Sequence, residues 1–368
     1  RSSAASDVYK RQKLLSIRKR KEANLVDLVI GIVLLLLVLA FFTLFTFKAP
    51  YGRKTMSAFA DASVATLLVE AFLSSFVGNV FGIEFFTNLG DAAGSLGGSA
   101  TALLIIMAIG GSPVNAVLIG ASIYGFGILP GLVVGYVMSY LVKLIEDKIP
   151  EGVDLLVMIL FLAPLSRGLA LISDPVVTAL LSNIGRAIAA SAENAPAVMG
   201  FVVGGIMAVV GSSPISSMAL SAMLQLTGLP MAATTMAIWS SSFINLVMYS
   251  QLNLGGKREA LSVFVEPKTQ VDLTSANPLP IYLANIIGGG ISGSVVALMG
   301  MNNMASSTAT PFAGLAVMFA YNPLQQVIIA AVITVVIGAV VAFIVAKIWH
   351  NRHFPITTAA ELNASEHS

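Results

Sequence analysis

The residues best suited to chemistry in this 368-residue chain are neutral hydrogen-bonding side chains set beside glycines and prolines inside long apolar runs. The richest such stretch is residues 211–228, Gly-Ser-Ser-Pro-Ile-Ser-Ser-Met-Ala-Leu-Ser-Ala-Met-Leu-Gln-Leu-Thr-Gly, where Ser213, Ser216 and Ser217 flank Pro214. A helix broken at such a point frees backbone carbonyls and amides; with hydroxyls beside them, these can bind a polar solute at a depth where lipid offers no partner. The stretch has an echo. Ile106-Met107-Ala108 leads into Gly110-Gly111-Ser112-Pro113 and Leu129-Pro130, as Ile206-Met207-Ala208 leads into Gly211-Ser212-Ser213-Pro214 and Leu229-Pro230. The copies lie about 100 residues apart, and Asn115 follows the first break. Small residues and prolines also serve ordinary helix packing in membranes. The agreement of two copies favours a pair of discontinuous helices around a solute site near the bilayer midplane.

A second polar concentration, Met301 to Pro311, holds Asn302 and Asn303 in an uncharged background. It reads either as an exposed loop or as a turn buried in protein, facing a neutral ligand. Trp239-Ser240-Ser241-Ser242 with Asn245 suits a sugar ring, against the alternative of an interfacial Trp anchor. Acids near membrane depth are functional candidates, and Glu70 and Glu84 are the two to watch, since a carboxylate can accept a sugar hydroxyl or carry a proton. Arg186 and Asp174 pair with one another or snorkel. The chain has no cysteine, which excludes disulfides and Cys metal sites, and its three histidines, His350, His353 and His367, fall in the polar tail. No catalytic residue, metal ligand set or cofactor site is expected.

The elements that must position these residues are membrane helices. Hydrophobic residues make up 57% of the chain and charged residues 10%, and Leu273 to Ala346 contains no Asp, Glu, Lys or Arg, far beyond the roughly 20 residues needed to cross a bilayer. An all-α polytopic fold follows, with roughly eight to ten spans plus re-entrant or broken helices and an internal repeat. Asp7-Val8-Tyr9-Lys10-Arg11-Gln12 reads as translated sequencing adapter, so residues 1–12 are set aside. Without Arg1, Lys10, Arg11 and Asp7 the formal charge falls from +2 to zero, leaving no footprint for nucleic acid.

Lys13 and Arg18-Lys19-Arg20-Lys21, in a basic segment 13–24, precede the apolar run Leu28–Phe47, which reads as a first span with its N-terminus in the cytoplasm. The membrane domain occupies 25–349 and a polar tail 350–368. A helix is expected over Ser57–Phe81, then a broken connection over Gly82–Gly98 and a short hairpin around Gly110–Pro113. A further helix covers Gly131–Leu144, and a surface loop spans Glu146–Asp154. Leu155–Leu165 begins the next crossing, and Asp174–Ala195 reads as a separate amphipathic helix that starts at Asp174-Pro175. The runs Val198–Val210, Ala232–Tyr249, Asn277–Gly300 and Leu324–Trp349 complete the helices, with Pro311–Tyr321 as a short hairpin arm. The polar segment Gln251–Asp272 is the expected docking surface on the cytoplasmic side.

Through Pro214-Ile215-Ser216-Ser217-Met218-Ala219-Leu220, Gly228-Leu229, Asn277-Pro278 and Asn302-Asn303, the sequence resembles the EIIC-type membrane subunits of the bacterial phosphoenolpyruvate-dependent sugar phosphotransferase system, in the branch that includes PfoR-type regulators. The resemblance runs over residues 97–325. It implies a homodimeric permease subunit in the bacterial inner membrane that binds a sugar and presents it to soluble EIIB and EIIA subunits. The phosphorylated residue then belongs to the partner, in agreement with the missing Cys and membrane His. The resemblance and the polar pattern together point to Asn115, Ser213, Ser216, Ser217, Asn302 and Asn303 as sugar contacts. The Gly-Ile-Thr-Glu motif of glucose-type members is absent; Gly82-Ile83-Glu84 is a faint relative, through which Glu84 joins the set. A membrane regulator without flux and an ion-coupled carrier are the competing readings.

Overall fold

The computed structural model describes residues 33–34, 36–37, 40–150, 152–213, 215–352 and 354–366. The expectations for residues 1–24 and for much of Leu28–Phe47 lie outside them, as does Pro214. Every regular element among the described residues is helical, as a lipid-embedded backbone requires. In chain order, α1 is Gly52–Phe81, with π-helical turns at Val64–Leu68 and Ala71–Gly78. Helices α2 (Glu84–Ser95) and α3 (Gly97–Ile109) are bent by 50° where they meet, and α4 (Pro113–Ser122) and α5 (Ile128–Lys148) follow. Helix α6 joins Val153–Val157, a π-helical Met158–Leu162 and Ala163–Asn194. The second half comprises α7 (Pro196–Gly211), α8 (Ser217–Met223), α9 (Gly228–Leu252), α10 (Lys257–Val265), α11 (Pro278–Leu298), α12 (Pro311–Tyr321), α13 (Leu324–Asn351) and α14 (Ala359–Glu366).

Six helices are long and apolar enough to cross a membrane among the described residues: α1, α5, the Val153–Ala179 part of α6, α9, α11 and α13. The bent pair α2 and α3 makes a seventh when taken as one span. The sequence count of eight to ten included Leu28–Phe47 and the run that folds as the shorter α7. The duplicated pattern is visible in three dimensions. In each half an apolar helix (α3, α7) stops at a Gly-Ser break, a short helix (α4, α8) follows, and a long span (α5, α9) begins.

Two stretches differ in detail from the sequence expectation. Gly82–Gly98 is broken, with a 50° bend at Leu96, but is helical over Glu84–Ser95, where its glycines serve packing rather than turning: a Cβ at Gly90 would stand 2.6 Å from the Ser74 amide nitrogen, and Gly94 lies against the Glu70 carboxylate. Only Gly82, at φ 68°, acts as a terminator. Asp174-Pro175 starts no new helix. Pro175 sits inside α6, where its missing N–H removes one ladder bond, and around it Ser173 donates to the Ala170 carbonyl and Thr178 to the Asp174 carboxylate. The side chains of Ser182, Asn183, Arg186, Ser191 and Glu193 lie outside the described residues.

Contact between helices rests on glycine. Gly200 and Gly204 of α7 meet Gly289 and Gly293 of α11 backbone to backbone; a Cβ at Gly204 would lie 2.6 Å from the Gly289 carbonyl oxygen, and one at Gly200 would overlap the Gly293 carbonyl. This is small-residue packing at spacing four, which lets dispersion act where lipid gives no hydrophobic drive. Helices α3 and α5 meet likewise through Gly98, Gly131 and Gly135. Helix α9 is the most enclosed span, with 78% of its apolar window buried. Trp239 on α9 heads a chain of edge-on rings, 5.1 Å from Phe243 and 5.4 Å from Phe312, with Phe264 of α10 joining both phenyl rings; its indole Nε1 donates to the Ala331 carbonyl at 3.3 Å.

Gly293→Ala is expected to lower thermal stability in detergent by about 1–3 kcal/mol through overpacking. Gly168→Ala, where a Cβ meets open space within α6, leaves stability unchanged or raises it by up to about 1 kcal/mol. Thermal unfolding followed by size-exclusion chromatography checks the contrast, and equal effects would refute the packing role of Gly293.

Candidate functional site

Both breaks are built from the same local chemistry. At the first, Gly110 takes φ 112°, a conformation glycine adopts without strain, and Ser112 caps α4 by accepting the Asn115 amide at 3.4 Å. The Ser112 amide and the Asn115 side chain both donate to Glu146 near the end of α5, at 3.0 and 2.7 Å. At the second, Ser213 donates to the Val210 carbonyl at 2.8 Å and accepts the Ile215 amide at 3.2 Å, while Ser216 caps α8 by accepting the Ala219 amide at 3.3 Å.

The second tip touches α9 near the middle of its length. Ser241 lies about 20 Å along a helix about 37 Å long, by the rise of 1.5 Å per residue. There the Asn245 amide donates to Ser212 Oγ at 2.9 Å, the Asn285 amide donates to Asn245 Oδ1 at 2.9 Å, and Ser241 Oγ donates to Asn285 Oδ1 at 2.6 Å. Ser212 and Ser241 hydroxyls stand 3.2 Å apart and close the ring. All four side chains are buried, and none carries a charge. Neutral groups suit this depth, because an unpaired ion would cost several kcal/mol more.

The Met301–Pro311 turn docks on the same tip. Ser217 Oγ donates to the Ala309 carbonyl at 2.7 Å. Asn303 is fully buried: its amide donates to Thr235 and Thr308 at 2.9 and 2.8 Å, and its backbone exchanges two hydrogen bonds with Gly228. Ser307 Oγ donates to the Leu67 carbonyl in the first π-helical turn of α1. Between these elements lies a crevice of about 10 Å³, bordered by Gly211, Ser217, Ser241, Lys268 and Thr310. Lys268 also borders a cavity of about 400 Å³, together with Arg53, Ser57, Asp61, Asp272 and Ser275. Burial lowers the Lys268 pKa, while Glu266 and Asp61 pull it back up. A third cavity, of about 250 Å³, lies at the other end of α8 beside Gly127, Pro130, Gln225 and Ser306.

Of the expected contacts Ser217 borders the crevice, Ser213 and Ser216 bond within the second break, Asn303 bonds Gly228, Thr235 and Thr308, and Asn302 lies on the exposed edge of the turn, where its backbone bonds Asn322. Asn115 stands at the first tip against Glu146, and Glu84 is exposed at the start of α2; neither reaches the second tip. Trp239 is committed to the ring chain on α9. Sequence reasoning passed over Asn285 and Lys268. A lone Asn within the apolar run of α11 was the available signal, since a buried amide in lipid demands a partner; Lys268 was visible only as part of a charged loop.

Two outcomes follow. Asn285→Leu leaves the Asn245 carbonyl and the Ser241 hydroxyl short of a partner and is expected to cost about 1–3 kcal/mol in thermal unfolding, where Ser250→Ala, on an exposed face, stays within about 0.5. Lys268 binds its proton less tightly folded than unfolded, so stability rises with pH between its folded and unfolded values. Lys268→Met should raise the unfolding midpoint at neutral pH and flatten that alkaline rise; an unchanged pH profile would sink the assignment.

Among known families, the one described as "Phosphotransferase system, EIIC" matches residues 53–362. No curated protein and no solved structure matches the chain.

Proposed function

We propose a function from the premise that this chain belongs to the phosphotransferase system EIIC family and is a multi-pass membrane permease component of that system. It binds a sugar at the junction of the second tip with the Met301–Pro311 turn, carries it across the bilayer, and yields it for phosphorylation by soluble phosphorylated EIIB and EIIA subunits. Ser213, Ser216, Ser217, Asn302 and Asn303 are the proposed sugar contacts. The observation that carries the reading is the buried, uncharged ring of hydroxyls and amides at a helix break deep along α9. Such groups match sugar hydroxyls, which both donate and accept and bring no net charge.

In this conformation the proposed contacts are bonded to other groups of the chain, Ser217 to the Ala309 carbonyl and Asn303 to Thr235 and Thr308, and the crevice holds about 10 Å³, about the space of one water, so a sugar enters by exchanging such bonds for its own. The exchange of one neutral hydrogen bond for another is nearly balanced in free energy, which suits a site that must also release its solute. The protein is proposed to sit in the bacterial inner membrane as a homodimer. The basic residues between Lys13 and Lys21 support a cytoplasmic N-terminus. The soluble partners would dock on the polar segment Gln251–Asp272, whose Lys257 and Arg258 are exposed.

Membrane vesicles supplied with soluble phosphocarrier subunits should accumulate sugar phosphate only when phosphoenolpyruvate is present. Uptake abolished by an ionophore and indifferent to phosphoenolpyruvate would instead identify an ion-coupled carrier, and sugar binding without uptake a regulator. Ser216→Ala should weaken sugar binding roughly 5- to 150-fold, the cost of one lost hydrogen bond in a buried site, and Asn302→Ala, at the exposed edge of the turn, by less, while the protein stays folded. Unchanged affinity in both variants would refute the site.

A further inference from the structure

Helix α8 has a cavity at each end. Ser217 and Met218, at its start, border the narrow crevice that Lys268 shares with the 400 Å³ cavity. Ala222, at its finish, and Gln225 just beyond border the 250 Å³ cavity. The Met301–Pro311 turn divides in the same way, with Ala309 and Thr310 on the crevice and Ser306 on the far cavity. From Ser217 to Ala222 is about 7.5 Å of helix, a thin barrier beside spans of some 30 Å.

The two cavities open toward opposite ends of the spans. Gly127 to Pro130 and Gln225 stand where α5 and α9 begin, so the 250 Å³ cavity belongs to that face. The 400 Å³ cavity is lined by Lys268, Asp272 and Ser275, in the connection that follows the far end of α9, and by Arg53, Ser57 and Asp61 at the start of α1. The cavities also differ in chemistry. Among the described residues no charged side chain lines the one beside Ser306, whereas Arg53, Asp61, Lys268 and Asp272 surround the other.

We infer that α8 and residues 305–310 form the septum between the two mouths of a single solute path, one mouth neutral and the other charged. The inference rests on the permease reading above and gives that path its ends. The neutral mouth suits uncharged, hydrogen-bonding solutes, whose hydroxyls both donate and accept, as do the Thr178, Gln225 and Ser306 side chains that line it. Ser217 donating to the Ala309 carbonyl clasps the two halves of the septum at 2.7 Å. Ser307 pins the turn to the π-helical carbonyl of Leu67, and Asn303 pins it to α9. Helix α8 is joined to α9 through two left-handed residues, Gln225 at φ 49° and Gly228 at φ 69°, which set the angle between them. Parting α8 from the turn at Ser217 connects the mouths; Lys268 stands where the crevice widens into the charged one.

The absence of cysteine makes single-cysteine labelling direct. Ser306→Cys and Ser275→Cys, each in the full chain in right-side-out and inverted vesicles, should react with a membrane-impermeant thiol reagent from opposite faces. Reaction of both from one face overturns the inference. Thr310→Cys, on the crevice, should react from the Ser306 face roughly 2- to 10-fold faster once Ser217→Ala removes the clasp, the shift expected from one hydrogen bond. An unchanged rate overturns the role of Ser217. Labelling needs no transport, so opposite-face labelling without phosphoenolpyruvate-dependent uptake fails the permease reading alone, and same-face labelling with normal uptake fails the septum alone.

Discussion

Backbone approach at glycine governs this molecule. Lipid gives helices no hydrophobic reason to associate, so close contact must come from shape and from polar bonds formed where the shapes meet. Gly200 and Gly204 against Gly289 and Gly293 bring α7 and α11 together along their length. That approach aims the end of α7 at α9 and sets Asn285 beside Asn245, which places Ser212 within reach of both Ser241 and Asn245. The polar ring is thus a consequence of glycine spacing two turns away. A side chain at any of the four glycines would meet the facing helix and push the ring apart.

The two breaks share a plan and differ in charge. The first closes on Glu146, a carboxylate within two residues of the end of α5, while the second closes on neutral groups well inside α9. Position explains the difference, because a carboxylate near a helix end is close to water and headgroups, and one at mid-depth would need its charge cancelled. Duplication supplied one backbone device twice; depth decided which side chains each copy could keep.

The sequence made the architecture readable where its signals were local. Gly-Ser-Pro at matching places announced both breaks, and the lengths of the apolar runs announced the long spans. It misled where one residue type serves two purposes. Gly90 and Gly94 look like loop residues and are packing residues; Pro175 looks like a helix start and lies within a helix. The π-helical turns of α1 and α6 carry no composition signal at all. At the site, Ser213, Ser216, Ser217 and Asn303 stood out because polar residues were concentrated there. Asn285 did not, since its partners come from 40 residues away on α9 and are invisible to any local reading.

The ring chain on α9 has an optical consequence. The protein holds two tryptophans: Trp349 lies tilted against Phe354 near the tail, ring centroids 4.6 Å apart, and Trp239 touches Phe312, the residue following Pro311 at the foot of the turn. An indole edge-on to a phenyl ring that moves with the turn reports that motion in its own emission. With Trp349 replaced by Phe, the remaining fluorophore is a built-in gauge of the junction, native to the fold and requiring no attached dye.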